Sequence, residues 1–192
     1  DGSAYIKDKR VDATLARQFQ NFSAEIIEQI INPSLGEAFK LAWEFQSMLT
    51  VQQLNGLSDK SLKAIAPTIL KRVQVELKDL VSQLNSKVIN ALVFEMKESR
   101  DQINGLATNR VDGAYGYWIW KLTEEQIGGL SKEAGIALFK MWMNADLKSS
   151  TYIDAAGIFD PTFLRQLNKL PVESLSAIAP ELLKLTNENA KK

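Results

Sequence analysis

Acidic side chains are the first residues of this 192-residue chain that could carry out chemistry, because the chain contains neither histidine nor cysteine. Glu95, Glu98 and Asp101 recur at helical spacing, and Glu124 is followed directly by Glu125. A pair of carboxylates supports acid–base catalysis when one of them has a raised pKa inside a pocket. Nothing around these residues indicates a pocket, so the pattern favours exposed helix faces and first helical turns.

The missing residue types restrict the function further. Without cysteine the chain cannot form disulfides, zinc–thiolate sites or a thiol nucleophile. Without histidine it lacks the commonest general base and the commonest metal ligand. We therefore predict that the protein is not an enzyme and that it uses no cofactor and no metal. A helical enzyme that depends on a lone glutamate is the alternative.

Binding chemistry is better represented, in the aromatic segment YGYWIW at residues 115–120. Exposed tyrosine and tryptophan rings stack on sugars, insert at membrane interfaces or anchor protein partners. The predicted partner-binding residues are Arg110, Tyr115, Tyr117, Trp118 and Trp120. For Arg110 the alternative is a salt bridge with Asp112 in the same loop. For the aromatic residues it is burial in the core, because large aromatic side chains are usually structural.

Composition places the chain among ordinary globular proteins and bears on its partners. Apolar residues make up 45% and charged residues 24%, and we predict a single domain over residues 1–192. Lysine plus arginine equals aspartate plus glutamate at 23 each. With no local basic patch in addition, nucleic acid is not a predicted partner. No apolar run in the sequence is long enough to span a bilayer.

An internal repeat dominates the elements that would position these groups. Residues 51–71 and 164–184 are identical at 12 of 21 aligned positions. The shared residues set a core and a backbone path, and they are Leu54/Leu167, Leu57/Leu170, Leu62/Leu175, Ala64/Ala177, Ile65/Ile178 and Pro67/Pro180. Repeat-like units lie near residues 49–71, 102–106, 122–142 and 162–184, with a fainter start at Phe22-Ser23. Their unequal spacing indicates an irregular array of short helical units.

One unit can be interpreted residue by residue. Thr50 is a candidate N-cap of a first short helix over residues 51–55, which Asn55-Gly56 would end. Ser58 would cap a second short helix, and Pro67 would begin a third, long helix after a kink. A glutamine recurs in the units, at Gln53, Gln102, Gln126 and Gln166. It could contact a partner in a row, but local hydrogen bonding of a glutamine before a helix C-cap is the favoured explanation.

Helical periodicity extends over most of the remaining chain. The predicted helices cover residues 13–31, 35–48 and about 131–143, with another that opens at residues 160–161. Residues 107–117 form the clearest loop. Only residues 117–120 have strand-like alternation, so we predict an all-α fold.

The capping phrases LTEEQIGGLS, LSDKSLKAIAPTIL and LPVESLSAIAPELL resemble the short helical units of the mesothelin and stereocilin group of extracellular superhelical proteins. They also resemble the Leu-Thr-x-Glu-Gln-Ile arrays of some bacterial surface proteins. The resemblance implies an irregular right-angled superhelix of short helices with one or two long helices. It further implies a protein that binds other macromolecules at a surface.

From the repeats, the missing catalytic residue types and this resemblance, we predict a non-enzymatic helical interaction or adhesion module. Its partner would be a protein or a glycan, with a membrane surface as a further candidate, and its location extracellular or at the cell surface. Function should lie where the two closest copies differ, as at Lys60/Glu173 and Lys63/Ser176, or in the aromatic segment. The alternative is a helical carrier or membrane-active protein that holds a lipid or another apolar ligand. A start at Asp1 without methionine fits a processed secreted protein or a trimmed one.

Overall fold

The computed structural model describes residues 6–7, 10–11, 13–31, 46–75, 81–104, 117–144 and 159–189. Within these ranges the α-helices are α1 (Ala13–Gln20), α2 (Ala24–Ile31), α3 (Val51–Gly56), α4 (Asp59–Val75), α5 (Ser86–Asn104), α6 (Glu124–Gly128), α7 (Lys132–Asn144), α8 (Pro161–Leu167) and α9 (Val172–Asn189). Short 3₁₀ helices cover Val81–Gln83 and Tyr117–Lys121. The antiparallel strands β1 (Ile6–Lys7) and β2 (Arg10–Val11) pair over two residues each. The predicted all-α fold is confirmed, and the superhelical arrangement stays a prediction.

The chain forms two compact units, unit 1 (Asp1–Glu95) and unit 2 (Met96–Lys192). The single domain expected for residues 1–192 stays a prediction. Among the described residues, the core of unit 1 is mainly aliphatic, with fully buried side chains that include Ile27, Leu54, Leu57, Leu62, Ile69, Ile89 and Leu92. The core of unit 2 adds large aromatic rings, and its buried side chains include Trp118, Ile127, Leu138, Phe139, Trp142 and Phe163.

A helix–turn–helix with one hydrogen-bonding pattern recurs five times in the described residues. At each turn an apolar residue donates its N–H to a carbonyl three residues earlier; the pairs are Phe22 to Phe19, Leu57 to Leu54, Leu84 to Val81, Leu130 to Ile127 and Leu170 to Leu167, all at 3.0 to 3.2 Å. The residue after each turn lies directly before the first residue of the next helix. It is Ser23, Ser58, Asn85, Ser131 or Pro171. The repeat is therefore a structural unit.

Side-chain N-caps explain why three of the second helices begin where they do. The amide of Ser61 donates to Ser58 Oγ at 3.3 Å, and Ala134 donates to Ser131 Oγ at 3.2 Å. Asn85 Oδ1 accepts from the N–H of Val88 at 3.0 Å in the same geometry. The sequence comparison missed this third turn, because asparagine replaces serine there and the recurring glutamine is absent. The predicted unit at 102–106 lies partly outside the described residues.

Two predicted boundaries were wrong. Residues 13–31 do not form one helix, because the turn at Asn21–Ser23 separates α1 from α2. Conversely, α4 runs without a break through Pro67, and α9 runs through Pro180. A proline inside a helix leaves the carbonyl four residues earlier without its N–H partner. Pro67 and Lys63 both lie on the exposed side of α4, where water can hydrogen-bond to that carbonyl. The predicted helix over residues 35–48 lies largely outside the described residues.

Glycine and serine permit close helix packing in both units. A Cβ at Gly135 of α7 would overlap Ser174 Oγ and approach Ser174 Cβ to 2.9 Å. Ser174 Oγ donates a 3.0 Å hydrogen bond to the carbonyl of Lys132, so α9 is held directly against α7. In unit 1, a Cβ at Gly56 of α3 would likewise overlap the Cβ of Ala24 of α2. These contacts bring consecutive copies of the repeat together.

Candidate interaction surface

Within the aromatic segment, the residues from Tyr117 onward form a 3₁₀ helix, Tyr117–Lys121, and not the strand that their alternation suggested. Trp118 is buried, with 1% of its surface exposed, and the adjacent Ile119 is equally buried. Trp118 therefore packs in the core of unit 2, which is the alternative that the sequence left open. Of the other predicted contact residues, Arg110 and Tyr115 lie outside the described residues. So do the side chains of Tyr117 and Trp120.

Other rings of unit 2 form part of the same core. The ring centroids of Trp142 and Phe163 lie 5.7 Å apart in an edge-to-face arrangement. Those of Phe159 and Phe163 lie 5.6 Å apart and are stacked. Such aromatic pairs stabilise a core beyond the burial of their area. Aromatic side chains in the described part of unit 2 thus have a structural use, which moves attention to other surfaces.

The acidic residues do not form a metal-binding cluster in the described parts of the chain. No group of three potential ligands among histidine, cysteine, aspartate and glutamate could hold a metal ion there. Glu124 forms a 2.9 Å ion pair with Lys169, and about half of each side chain is exposed. An exposed pair of this kind contributes little to stability. The side chains of Glu98 and Asp101 lie outside the described residues.

Glu28 of α2 is the carboxylate with the clearest role. Its Oε2 accepts the N–H of Ser58 at 3.0 Å, and its Oε1 accepts the hydroxyls of Ser58 and of Ser61, the latter at 2.7 Å. Partial burial raises the pKa of Glu28, but these hydrogen bonds and the charge of Lys87 outweigh burial and hold the pKa below its usual value. A carboxylate at a helix N-terminus also interacts favourably with the helix dipole. Glu28 therefore joins α2 to the start of α4.

The recurring glutamine has a structural explanation in two of its copies. Gln53 Oε1 accepts the N–H of Thr50 at 2.9 Å, and Thr50 Oγ1 accepts the N–H of Gln53 at 3.2 Å, which is a capping box. The Nε2 atom of buried Gln53 donates at 2.9 Å to the carbonyl of Phe19, in the last turn of α1, and to that of Phe22 just after the helix. One side chain thus starts α3 and holds the preceding turn.

Gln126 and Thr123 repeat the same capping box at the start of α6. Gln166 does not, because Asp160 begins α8 one turn earlier and Gln166 falls in the last turn of that helix. The side chain of Gln102 lies outside the described residues. Gln53 and Gln126 thus form local hydrogen bonds, as the sequence interpretation favoured, but at a helix N-terminus and not before a C-cap. Gln53 in addition binds carbonyls that are distant in the sequence.

Burial separates the two closest copies of the repeat. Leu62, Ala66, Ile69 and Leu70 of α4 are all buried in unit 1. The equivalent α9 residues keep their apolar character but are half-buried or exposed; they are Leu175, Ala179, Leu182 and Leu183, the last with 64% of its surface exposed. The prediction that Leu175 is core in the same way as Leu62 was wrong, because this side of α9 is covered only in part.

We define the α9 face as Val172, Leu175, Ala179, Leu182 and Leu183. Their spacing of three, four, three and one residues places them on one side of the helix. Val172, which has 73% of its surface exposed, occupies the position of the exposed Asp59 in the copy at residues 51–71. The last copy therefore has an apolar residue at a position that faces solvent in both copies. Ala64, Ala177, Pro67 and Pro180, which were expected in the core or the backbone path, lie on exposed sides.

A polar contact shows the same difference between copies. Asn55, which follows Leu54 in the first copy, donates through Nδ2 to the carbonyl of Gln83 at 2.9 Å. Its Oδ1 accepts the N–H of Asn85 at 2.8 Å, and Asn85 Nδ2 donates to the Asn55 carbonyl at 3.0 Å. These bonds attach the turn at residues 83–85 to the copy at residues 51–71. The equivalent Asn168 is exposed, and its side chain has no such bonds within the described ranges.

The α9 face was missed by sequence reasoning, which treated the shared leucines as core in both copies. The signal that could have indicated it is Val172 in place of Asp59. Among the described helices, none has both the length and the apolar character of a membrane span. No family model, no curated protein and no solved structure matches the chain.

Proposed function

We propose that this protein is a non-enzymatic helical interaction module that binds another macromolecule through the α9 face, outside the cell or at its surface. The observation that carries the proposal is the contrast between α4 and α9. The same apolar positions are buried in one copy and half-buried or exposed in the other. The extracellular location rests on the resemblance of the capping phrases to surface-protein repeats.

The chemistry of the α9 face suits a helical or grooved protein surface. Apolar anchors at three- and four-residue spacing are the pattern by which an amphipathic helix docks against a partner. Glu173, Ser176 and Glu181 are exposed on the same helix and supply polar groups around the apolar stripe. An apolar centre with a polar rim is the usual arrangement of a protein interface. A contiguous exposed apolar patch of this kind commonly marks an interaction site.

Site-specific photo-crosslinking tests the proposal. A photoreactive amino acid replaces Leu183 on the α9 face or, as a matched control, Ala177 on the exposed polar side of the same helix. Irradiation with surface extracts should give an adduct from position 183 and none from position 177. Mass spectrometry identifies the adduct, and the purified partner should bind the wild type and Ala177→Lys but not Leu183→Lys.

Equal adduct formation from both positions, or none from position 183, would refute the assignment of the α9 face. The carrier hypothesis stays a prediction; extraction of bound lipid followed by mass spectrometry tests it.

A further inference from the structure

The copy of the repeat formed by α1 and α2 has exposed apolar residues that complement the α9 face. In two copies, the residue three positions after the N-cap position of the second helix contacts the preceding unit. Ser61 donates to Glu28 of α2, and Ser174 donates to the carbonyl of Lys132 at the start of α7. In α2 the equivalent residue is Ile26, with 43% of its surface exposed. Phe22 of the preceding turn is also exposed, at 37%.

Phe22 is the exception among the five turns. The equivalent residues Leu57, Leu84, Leu130 and Leu170 are all buried. We define the α2 face as Phe22 and Ile26. In later copies, the corresponding side packs against the preceding copy of the repeat. For the α1–α2 copy, no such copy packs there within the described residues of unit 1.

We propose that copies of this chain associate head to tail, with the α9 face of one copy packed against the α2 face of the next. This inference rests on the proposed function, because it uses the same α9 face and names its partner as a second copy. The argument is one of continuity. Inside unit 2, Gly135 of α7 occupies the position of Leu175, Ser174 of α9 occupies the position of Ile26, and both residues are buried where these two copies pack together. Leu175 and Ile26 lie in the last and the first of the five described copies, where they are half-buried and exposed, respectively.

The polar groups at the two ends match as well. Inside unit 1, Asn55 binds the N–H of Asn85 and the carbonyl of Gln83 in the following turn. In the proposed contact Asn168 takes the place of Asn55. The Asn21–Ser23 turn of the second protein molecule takes the place of residues 83–85. Asn168, Asn21 and Ser23 are all exposed, so their polar groups are accessible for this bonding.

A contact between two different faces has a consequence for assembly. Each copy that binds through its α9 face keeps its own α2 face available, so the association does not close at two copies by symmetry. A contact between two α9 faces would instead stop at a dimer. The two arrangements are therefore distinguishable by which variants still associate.

Sedimentation velocity of the purified wild type and of Ile26→Lys and Leu183→Lys tests the proposal. The wild type should sediment faster as its concentration rises and pass beyond a dimer. Each variant alone should lose association by at least about tenfold in Kd, since a buried lysine replaces an apolar anchor. An equimolar mixture of the two variants should form a dimer and no larger species, because together they retain one intact pair of faces.

Ala177→Lys, which adds the same charge to the other side of α9, should associate like the wild type. Far-UV circular dichroism checks that every variant keeps its helix content. Three results would each overturn the proposal: a wild type that stays monomeric, an Ile26→Lys variant that self-associates like the wild type, or a mixture that stays monomeric. If self-association fails while position 183 still crosslinks to a different macromolecule, the proposed function stands without this inference.

Discussion

Replacing Gln53 by glutamate should destabilise unit 1 strongly, although the two side chains have nearly the same shape. The carboxylate can still accept the N–H of Thr50, but it cannot donate to the carbonyls of Phe19 and Phe22. The Phe22 carbonyl would lose this donor, at a cost of about 1 to 3 kcal/mol, whereas the Phe19 carbonyl would keep the N–H of Phe22. Both carbonyl oxygens would in addition face a buried negative charge, which raises the cost further. Two such carbonyls facing a carboxylate therefore predict a loss of about 3 to 5 kcal/mol at neutral pH.

Urea unfolding followed by far-UV circular dichroism measures this change. The matched control is Gln52→Glu, which introduces the same charge at an exposed neighbouring position and should change stability by less than about 0.5 kcal/mol. Because the carbonyls disfavour the charged carboxylate, the Gln53→Glu penalty should shrink as pH falls and the new side chain becomes protonated. A protonated carboxyl can again donate one hydrogen bond.

The result that would refute the reasoning is a Gln53→Glu variant as stable as Gln52→Glu. It would mean that Gln53 does not hold the end of α1 through its amide nitrogen. A penalty that persists unchanged at acid pH would point instead to a packing defect.

The remaining predictions test the acid response, the burial difference and the close packing. Glu28→Gln should cost about 1 to 2 kcal/mol of unfolding free energy at pH 7. Because the folded-state pKa of Glu28 is lowered, unfolding measurements should show that the wild type loses this extra stability progressively as pH falls below about 4.3. Leu62→Ala should cost about 2 to 5 kcal/mol in urea unfolding. Leu175→Ala should cost well under half of that, because its side chain is only half-buried; equal losses would contradict the burial assignment. Gly135→Ala should destabilise unit 2 by about 1 to 3 kcal/mol through overlap with α9. Gly128→Ala, whose Cβ would meet only ordinary contacts, should be neutral or stabilising in thermal melts.

Local signals were the part of the fold that sequence reasoning predicted well. The N-caps at Thr50 and Ser58 and the helix opening at Asp160-Pro161 lie where the sequence placed them. These features depend on hydrogen bonds between residues two to four positions apart, so the necessary information lies in a short window. The predicted kink at Pro67 failed although it is also local. Packing on both sides of that proline, by Ile65 and Ile69, keeps the helix continuous.

The candidate site was much less predictable. The aromatic segment attracted attention because large rings bind partners well, but Trp118 is buried in the core. Leu175 and Leu183 look like core residues in the sequence because their counterparts Leu62 and Leu70 are core residues. Residue type alone cannot separate a covered leucine from an uncovered one, because both are equally apolar.

The sequence by itself determined the repeating helix–turn–helix, since its caps and turns use hydrogen bonds within a few residues of one another. Only the tertiary structure decided which copies are covered. The buried side of α4 and the uncovered side of α9 share their apolar pattern, and the difference lies in what the rest of each unit places against them. Hydrophobic burial depends on neighbours that are distant in the chain, so identical residues in two copies can be core in one and partly exposed in the other.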